Sequence, residues 1–287
     1  MLVTYFPEQV SMAGKPVMAK FIASIAKTDT VLTNTMEADI AVIWSVLWQG
    51  RMQYNHQVYQ SFRSKNKPVV ILETGNLCRG KTYKVCVNNI NVQGIHAGQF
   101  IETDRLPKFA PLFKTVRGGE NIIICCQQQN SLLWHGQPSV DKWLHDLITK
   151  IRASSNRHIE LRPHPRQQSV DFHSIAARYK RTTVVQPVRN YKNDTADFDA
   201  ALQRAHCIIG HNAGSVIEAA VKHIPIVADV SSLCNSISNN IDCIDNATIL
   251  TNDNWLKFIV STEWFEEEIA DGTPWLALRS NVLHAKC

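Results

Sequence analysis

The chain has 287 residues, 45% hydrophobic and 19% charged, with 30 Lys and Arg against 25 Asp and Glu for a net charge of +5. This is the profile of a soluble globular protein long enough for two medium domains, each with its own core. It excludes a membrane-spanning class, since no apolar run reaches bilayer length. Eight cysteines are present, but none form a Cys-x-x-Cys pair, so metal-site spacing is absent. Several lie in apolar runs, as buried thiols do, which makes a reducing cytoplasm the expected setting.

Residues 1–115 carry 13 Lys and Arg against 7 Asp and Glu, while the rest of the chain is nearly balanced. The opening Met1-Leu2-Val3-Thr4-Tyr5-Phe6-Pro7 lacks the basic region and long apolar core of a leader and reads as a first strand. Strands are predicted over 2–6, 40–44 and 68–72, with helices over 17–26 and 52–62 between them. The polar stretch 73–107 reads as loops and short strands crossing a cleft. Residues 114–120, with Gly118-Gly119, read as a linker.

From 121 to 250 the pattern is clearer. Strands are predicted over 121–126, 159–161, 183–185, 207–209 and 224–227, and helices over 140–152, 170–179, 198–204 and 215–222. Such alternation implies a parallel sheet with helices on both faces. The tail from 254 to 283 reads as helical, with Trp255, Trp264 and Trp275 docking it on a core. The expected domains are therefore 1–115 and 116–287, the second including the tail.

Two segments in this second half carry chemistry. After the strand 158–161 comes Arg162-Pro163-His164-Pro165-Arg166. Its prolines hold the backbone extended, and Arg162, His164 and Arg166 are donors suited to one anion. After the strand 207–209 comes His211-Asn212-Ala213-Gly214-Ser215-Val216-Ile217-Glu218. Gly214 and Ser215 open a helix whose free N–H groups suit phosphate, and Glu218 lies one turn on, within reach of a ribose. A blander account also stands: a basic surface loop, a glycine for close packing and a solvated glutamate. Both segments follow strands of one alternating pattern, which places them on one sheet edge, where α/β folds bind nucleotides. Asp197-Phe198-Asp199 matches an Asp-x-Asp metal motif, but it opens a predicted helix, where acidic residues cap N–H groups.

These residues resemble the GT-B glycosyltransferases, an α/β class with two Rossmann-like domains facing a cleft and, here, C-terminal helices. The Arg162–Pro165 loop and the Asn212–Ala219 segment look like the paired motifs of capsule-polysaccharide transferases, including Kdo-transferring ones. The 122–126 strand running into Gln127-Gln128-Gln129 is similar to their donor-site loop. Glu73-Thr74-Gly75-Asn76-Leu77-Cys78-Arg79 resembles their Glu-Asp-Gly-x-x-x-Arg segment, with Thr74 replacing the family's aspartate. The short layout and the 262–269 tail look more like bacteriophage-encoded glycosyltransferases, a group that includes enzymes glycosylating hydroxymethylated DNA bases. The resemblance implies a nucleotide-sugar donor held by Gln127, Arg162, His164, Asn212, Gly214, Ser215 and Glu218.

Sugar transfer places negative charge on the leaving phosphate, which Arg162, His164, Ser215 and a helix end can stabilise without a metal or other cofactor. A base or nucleophile is then required. The candidates, in order, are Glu73, Asp104 and His96; the competing role for Glu73 is a salt bridge to Arg79. The basic first domain, through Arg79, Lys81, Lys84, Arg105 and Lys108, suits an anionic acceptor such as DNA bearing hydroxymethylated pyrimidine. A capsule-type glycan acceptor, a non-catalytic nucleotide- or nucleic-acid-binding module and a sugar-nucleotide epimerase are the alternatives.

Overall fold

The computed structural model describes residues 1–167, 169–188 and 194–283, the last stretch with side chains from 197 onward. The chain divides into two compact units. The first begins with β1 (Leu2–Tyr5), α1 (Lys15–Ile25), β2 (Thr30–Thr33), β3 (Ile40–Trp44), α2 (Tyr54–Ser64), β4 (Val69–Thr74), β5 (Thr82–Val87), β6 (Ile95–His96) and α3 (Leu106–Phe109). Strands β2, β1, β3 and β4 run parallel in that order, and β5 adds antiparallel to β4. All five residues of β3 are buried, as a central strand covered on both faces requires. One face sets Val42, Trp44, Val70 and Leu72 against Phe21 and Ile25 of α1. The other sets Ile43 and Ile71 against Val58 and Phe62 of α2.

The second unit contains β7 (Asn121–Cys125), α4 (Val140–Ser154), β8 (Ile159–Arg162), α5 (Phe172–Ala177), β9 (Thr182–Val184), α6 (Asp194–Arg204), β10 (Ala205–Gly210), α7 (Gly214–Val221) and β11 (Ile226–Ala228). Its sheet is wholly parallel in the order β9-β8-β7-β10-β11. The Ser139 hydroxyl starts α4 by accepting the Lys142 N–H at 3.2 Å. Val140, Leu144, Ile148 and Ile151 then form its buried stripe. The stretch expected as a linker is packed instead. Gly119 N–H donates to Ala205 O at 3.0 Å, and a Cβ on Gly118 would lie 2.5 Å from that same oxygen.

The tail holds α8 (Asp253–Ser261), β12 (Glu263–Phe265), α9 (Glu266–Asp271) and α10 (Thr273–Leu278). Its expected place in the second domain is corrected: from Lys257 onward it belongs to the first unit. Residues 263–265 form a strand rather than helix, antiparallel to β5 with Trp264 opposite Tyr83. Trp264 and Trp275 are fully buried in the first unit's core, whereas Trp255 donates its indole N–H to Leu233 O at 2.9 Å in the second unit.

Asp29 clamps the tail. Its buried carboxylate accepts from Arg279 Nε at 2.7 Å, the Met1 amine at 2.9 Å and Trp275 Nε1 at 3.2 Å. Burial raises its pKa, but the bonds from Arg279, the terminal amine and Thr28 outweigh that and hold it at about 2, below the ordinary 3.8. A depressed carboxyl stabilises the fold fully above its unfolded value and loses that contribution as pH falls through its folded one. Asp29→Asn should therefore be less stable than the parent at pH 6. The gap should close between about pH 4 and pH 2 in denaturant titrations.

Candidate functional site

The strand order of the second unit reverses between β7 and β10, the position where doubly wound sheets bind ligands beyond their C-terminal ends. Gln127 follows β7, Arg162 ends β8, and His211 to Ser215 join β10 to α7. Gly210 makes that junction possible: a Cβ there would lie 2.6 Å from Val216 Cγ2. Helix α7 starts at Gly214 with no side chain capping it; Val216 N–H returns to Ala213 O at 3.0 Å, and the Gly214 and Ser215 N–H groups ahead of it are the ones a helix N-terminus offers to an anion. The Ser215 hydroxyl bonds the buried Cys125 thiol, whose pKa burial pushes up to about 11. Two buried polar atoms at this edge have no partner among the described residues: Gln127 Oε1 and Arg162 Nη1.

Other bonds organise the edge. Arg162 Nη2 pairs with Asp197, which also accepts the Val188 N–H at 3.1 Å, and the guanidinium lies 5.5 Å from the Phe198 ring centre. The Asp197-Phe198-Asp199 segment therefore sits inside α6 rather than capping it, with Asp197 serving Arg162 and Asp199 serving Lys222. Among the described residues no acidic, His or Cys cluster suits a metal ion. Glu218 lies 2.9 Å from Lys222 Nζ, four residues on. Burial lowers the Lys222 pKa, and Asp199 and Glu218 together raise it above its ordinary value. The His164 ring accepts the Arg166 N–H at 3.2 Å, folding its loop back on itself. Gln167 Oε1 ties that loop to the Gln129 N–H at 3.1 Å.

A chain of polar contacts that sequence reasoning passed over runs alongside. His211 Nδ1 is 3.4 Å from Asp229, Asp229 accepts the Ser231 hydroxyl at 2.6 Å, and Asn212 donates to Ser231 Oγ at 2.7 Å. Burial raises the Asp229 pKa, yet the Ser231 bonds and His211 leave it below the ordinary value. Asp229 directly follows β11. The rule that singled out 162 and 214, residues just beyond strand ends, points to it equally.

In the first unit Glu73, half-buried, is the next-to-last residue of β4. Its carboxylate accepts the Val46 N–H at 3.2 Å and the Thr74 N–H at 2.8 Å. Ser45, in the left-handed region at φ 67°, turns the chain after β3 toward that contact, a conformation costing a serine roughly 1–2 kcal/mol. No ion pair joins Glu73 to Arg79; Arg79 and Lys81 lie exposed on the following loop.

Five other expected residues are buried or paired, and of these only Lys84 lies opposite Glu73. Asp104 is exposed and pairs with Lys257 at 3.5 Å. His96 is 1% exposed, held between Cys86 Sγ at 3.1 Å and Asn91 O at 3.0 Å. Burial lowers its pKa to about 4, and its ring is enclosed in the core. Lys84 is 2% exposed, in register between Glu73 and Glu263, and reaches no acceptor phosphate. Arg105 binds both Glu268 oxygens at 2.8 Å and stacks 4.3 Å from Trp264. Lys108 likewise pairs with Glu267 and Glu268 at 3.2 and 3.1 Å. Of the basic residues expected to meet an acceptor, Arg79 and Lys81 remain.

No family model and no curated protein matches the sequence. Solved structures are similar to it. The KpsC beta Kdo 2,7 transferase of Thermosulfurimonas dismutans aligns at a TM-score of 0.53 and 11% identity over 96% of this chain and 99% of that one. The beta Kdo 2,4 transferase of the same protein aligns at 0.48 and 12%, over 92% of each. AviGT4, a glycosyltransferase involved in avilamycin A biosynthesis, aligns at 0.40 and 9%, over 99% and 98%. The first of these likenesses, with the two α/β units described above, gives the chain a GT-B-type α/β fold.

Proposed function

We propose that the protein is a glycosyltransferase that moves a sugar from a nucleotide-sugar donor to an acceptor hydroxyl. The carrying observation is the C-terminal edge of the second sheet, where an uncapped helix start and two buried atoms without a partner among the described residues, one a guanidinium nitrogen, lie at or beside the strand-order reversal. In this reading the helix N–H groups and Arg162 Nη1 take the diphosphate or monophosphate, Glu218 takes the ribose, and Gln127 Oε1 takes a donor of the ligand. Charge developing on the leaving phosphate meets prearranged dipoles and needs no resident metal. Glu73 acts as base or nucleophile; two backbone donors still leave its oxygens room for a third partner.

For the acceptor we favour a glycan, in line with the Kdo transferase of like fold. The alternative, hydroxymethylated pyrimidine in phage DNA, loses its support at Lys84, Arg105 and Lys108, which are buried or paired. The test has two steps. A nucleotide-sugar panel should contain one donor that raises the melting temperature, since a ligand at a hundredfold its Kd adds about 2.7 kcal/mol. That donor is then offered with glycan acceptors, hydroxymethylated DNA and unmodified DNA, with and without a chelator. Transfer to glycan, unaffected by chelation, is expected. Transfer to hydroxymethylated DNA alone would select the other acceptor. Binding without transfer or hydrolysis would make the protein a binding module, and an isomerised sugar nucleotide would make it an epimerase.

A further inference from the structure

The loop that follows Glu73 is built around a carboxylate from the far end of the chain. Glu263, the first residue of β12, is fully buried. It accepts the Asn76 N–H at 2.6 Å, the Leu77 N–H at 3.1 Å and the Thr82 hydroxyl at 2.7 Å. The Cys78 N–H reaches the same Thr82 Oγ1 at 3.2 Å. Consecutive N–H groups that converge on one oxygen cluster form a concavity for negative charge, and here the chain fills it itself. Gly75 completes the fit: a Cβ there would lie 2.4 Å from Glu263 Oε2 and 2.4 Å from Thr82 Oγ1. Register sets the partners in line, with Glu73 opposite Lys84 and Lys84 opposite Glu263 on adjacent strands, so all three side chains leave one face of the sheet.

We infer that Glu263 is the positioning residue of the acceptor-side loop: its carboxylate fixes the backbone from Gly75 to Thr82 and so sets Glu73, Asn76 and Arg79 for the acceptor. The inference rests on the transferase reading given above. Glu263 is itself saturated by donors and sealed from solvent, so it acts through the loop and does not touch substrate. The order of that loop depends on β12 being paired to β5, which links acceptor binding to the C-terminal strand.

The test compares Glu263→Ala, Glu263→Gln and Gly75→Ala with the parent in the full chain. Amide hydrogen exchange is read at Asn76 and Leu77 and at the β4 amides, and transfer kinetics are run with the acceptor varied. In Glu263→Ala, exchange at Asn76 and Leu77 should quicken by at least tenfold while β4 keeps its protection. The acceptor kcat/KM should fall roughly ten- to a hundredfold, the range for a lost charged hydrogen bond. The nucleotide Kd should stay within about twofold, because its groups lie in the other unit. Glutamine retains one acceptor oxygen and should recover part of the loss. Gly75→Ala, which crowds the same carboxylate from the loop side, should reproduce the alanine phenotype. Unchanged exchange at Asn76 and Leu77, or an equal loss of protection in β4, overturns the inference. If the parent transfers no sugar from any donor, the transferase reading falls, and the exchange data alone decide whether Glu263 orders the loop.

Discussion

A Glu73→Gln variant is expected to lose roughly 10²–10⁴-fold in kcat, the range for removing a general base, while binding nucleotide as tightly as the parent. The glutamine keeps the side chain's size and one acceptor oxygen. Of the bonds from Val46 and Thr74, one survives, and the other costs about 1 kcal/mol. That loss is too small to unfold the unit, so near-parental denaturation would show that the defect lies in chemistry. The measurement is kcat under saturating donor and acceptor, with nucleotide Kd from calorimetry. A kcat within threefold of the parent would dismiss Glu73 as base or nucleophile. Asp104 would follow as the next candidate, although it is exposed and paired with Lys257.

Arg105→Ala should act on stability instead. The guanidinium holds both oxygens of Glu268, donates to Glu263 O at 2.8 Å and covers the Trp264 ring. Burial raises the Glu268 pKa, and the bonds from Arg105, Phe265 N–H and Lys108 pull it below its ordinary value. Removing the arginine leaves that carboxylate largely buried with a weaker partner. Breaking a buried pair from one side costs about 3–5 kcal/mol, and the deficit should appear as a lower midpoint for the transition reported by Trp264 and Trp275. Lys81→Ala, at an exposed position, should stay within about 0.5 kcal/mol. An Arg105→Ala protein of parental stability with a raised acceptor KM would return this residue to the acceptor surface.

The alternation of strands and helices was legible because central strands are apolar on both faces: the five residues of β3 coincide with the predicted run 40–44. Strand β2 was missed because Thr30–Thr33 is a half-exposed edge with little apolar pattern. Strand β12 was read as helix because three residues carry no period, and their conformation comes from pairing with β5. Gln127, Arg162 and Asn212 were expected at one sheet edge because parallel strands end beside them, and they lie at or just beyond the ends of β7, β8 and β10. The acceptor side was not legible in this way, because a charge in a sequence does not disclose its partner. Arg105 meets Glu268, 163 residues away, and the polar context of His96 in the chain hides its burial on β6 beside β5.

The return of the tail to the first unit has a consequence for biosynthesis. Emerging from the ribosome, residues 1–110 lack the strand that pairs with β5 and the helices that carry Trp275. The second unit, complete by residue 256, can fold earlier, as domains do during synthesis. Until β12 arrives, β5 presents an open hydrogen-bonding edge at Thr82–Lys84, beyond the part that β6 pairs, the kind of edge that recruits other chains. A nascent chain of which residue 256 has just emerged should therefore contain a protease-resistant second unit joined to an aggregation-prone first one, and the emergence of β12 should be the step that closes the exposed edge of β5.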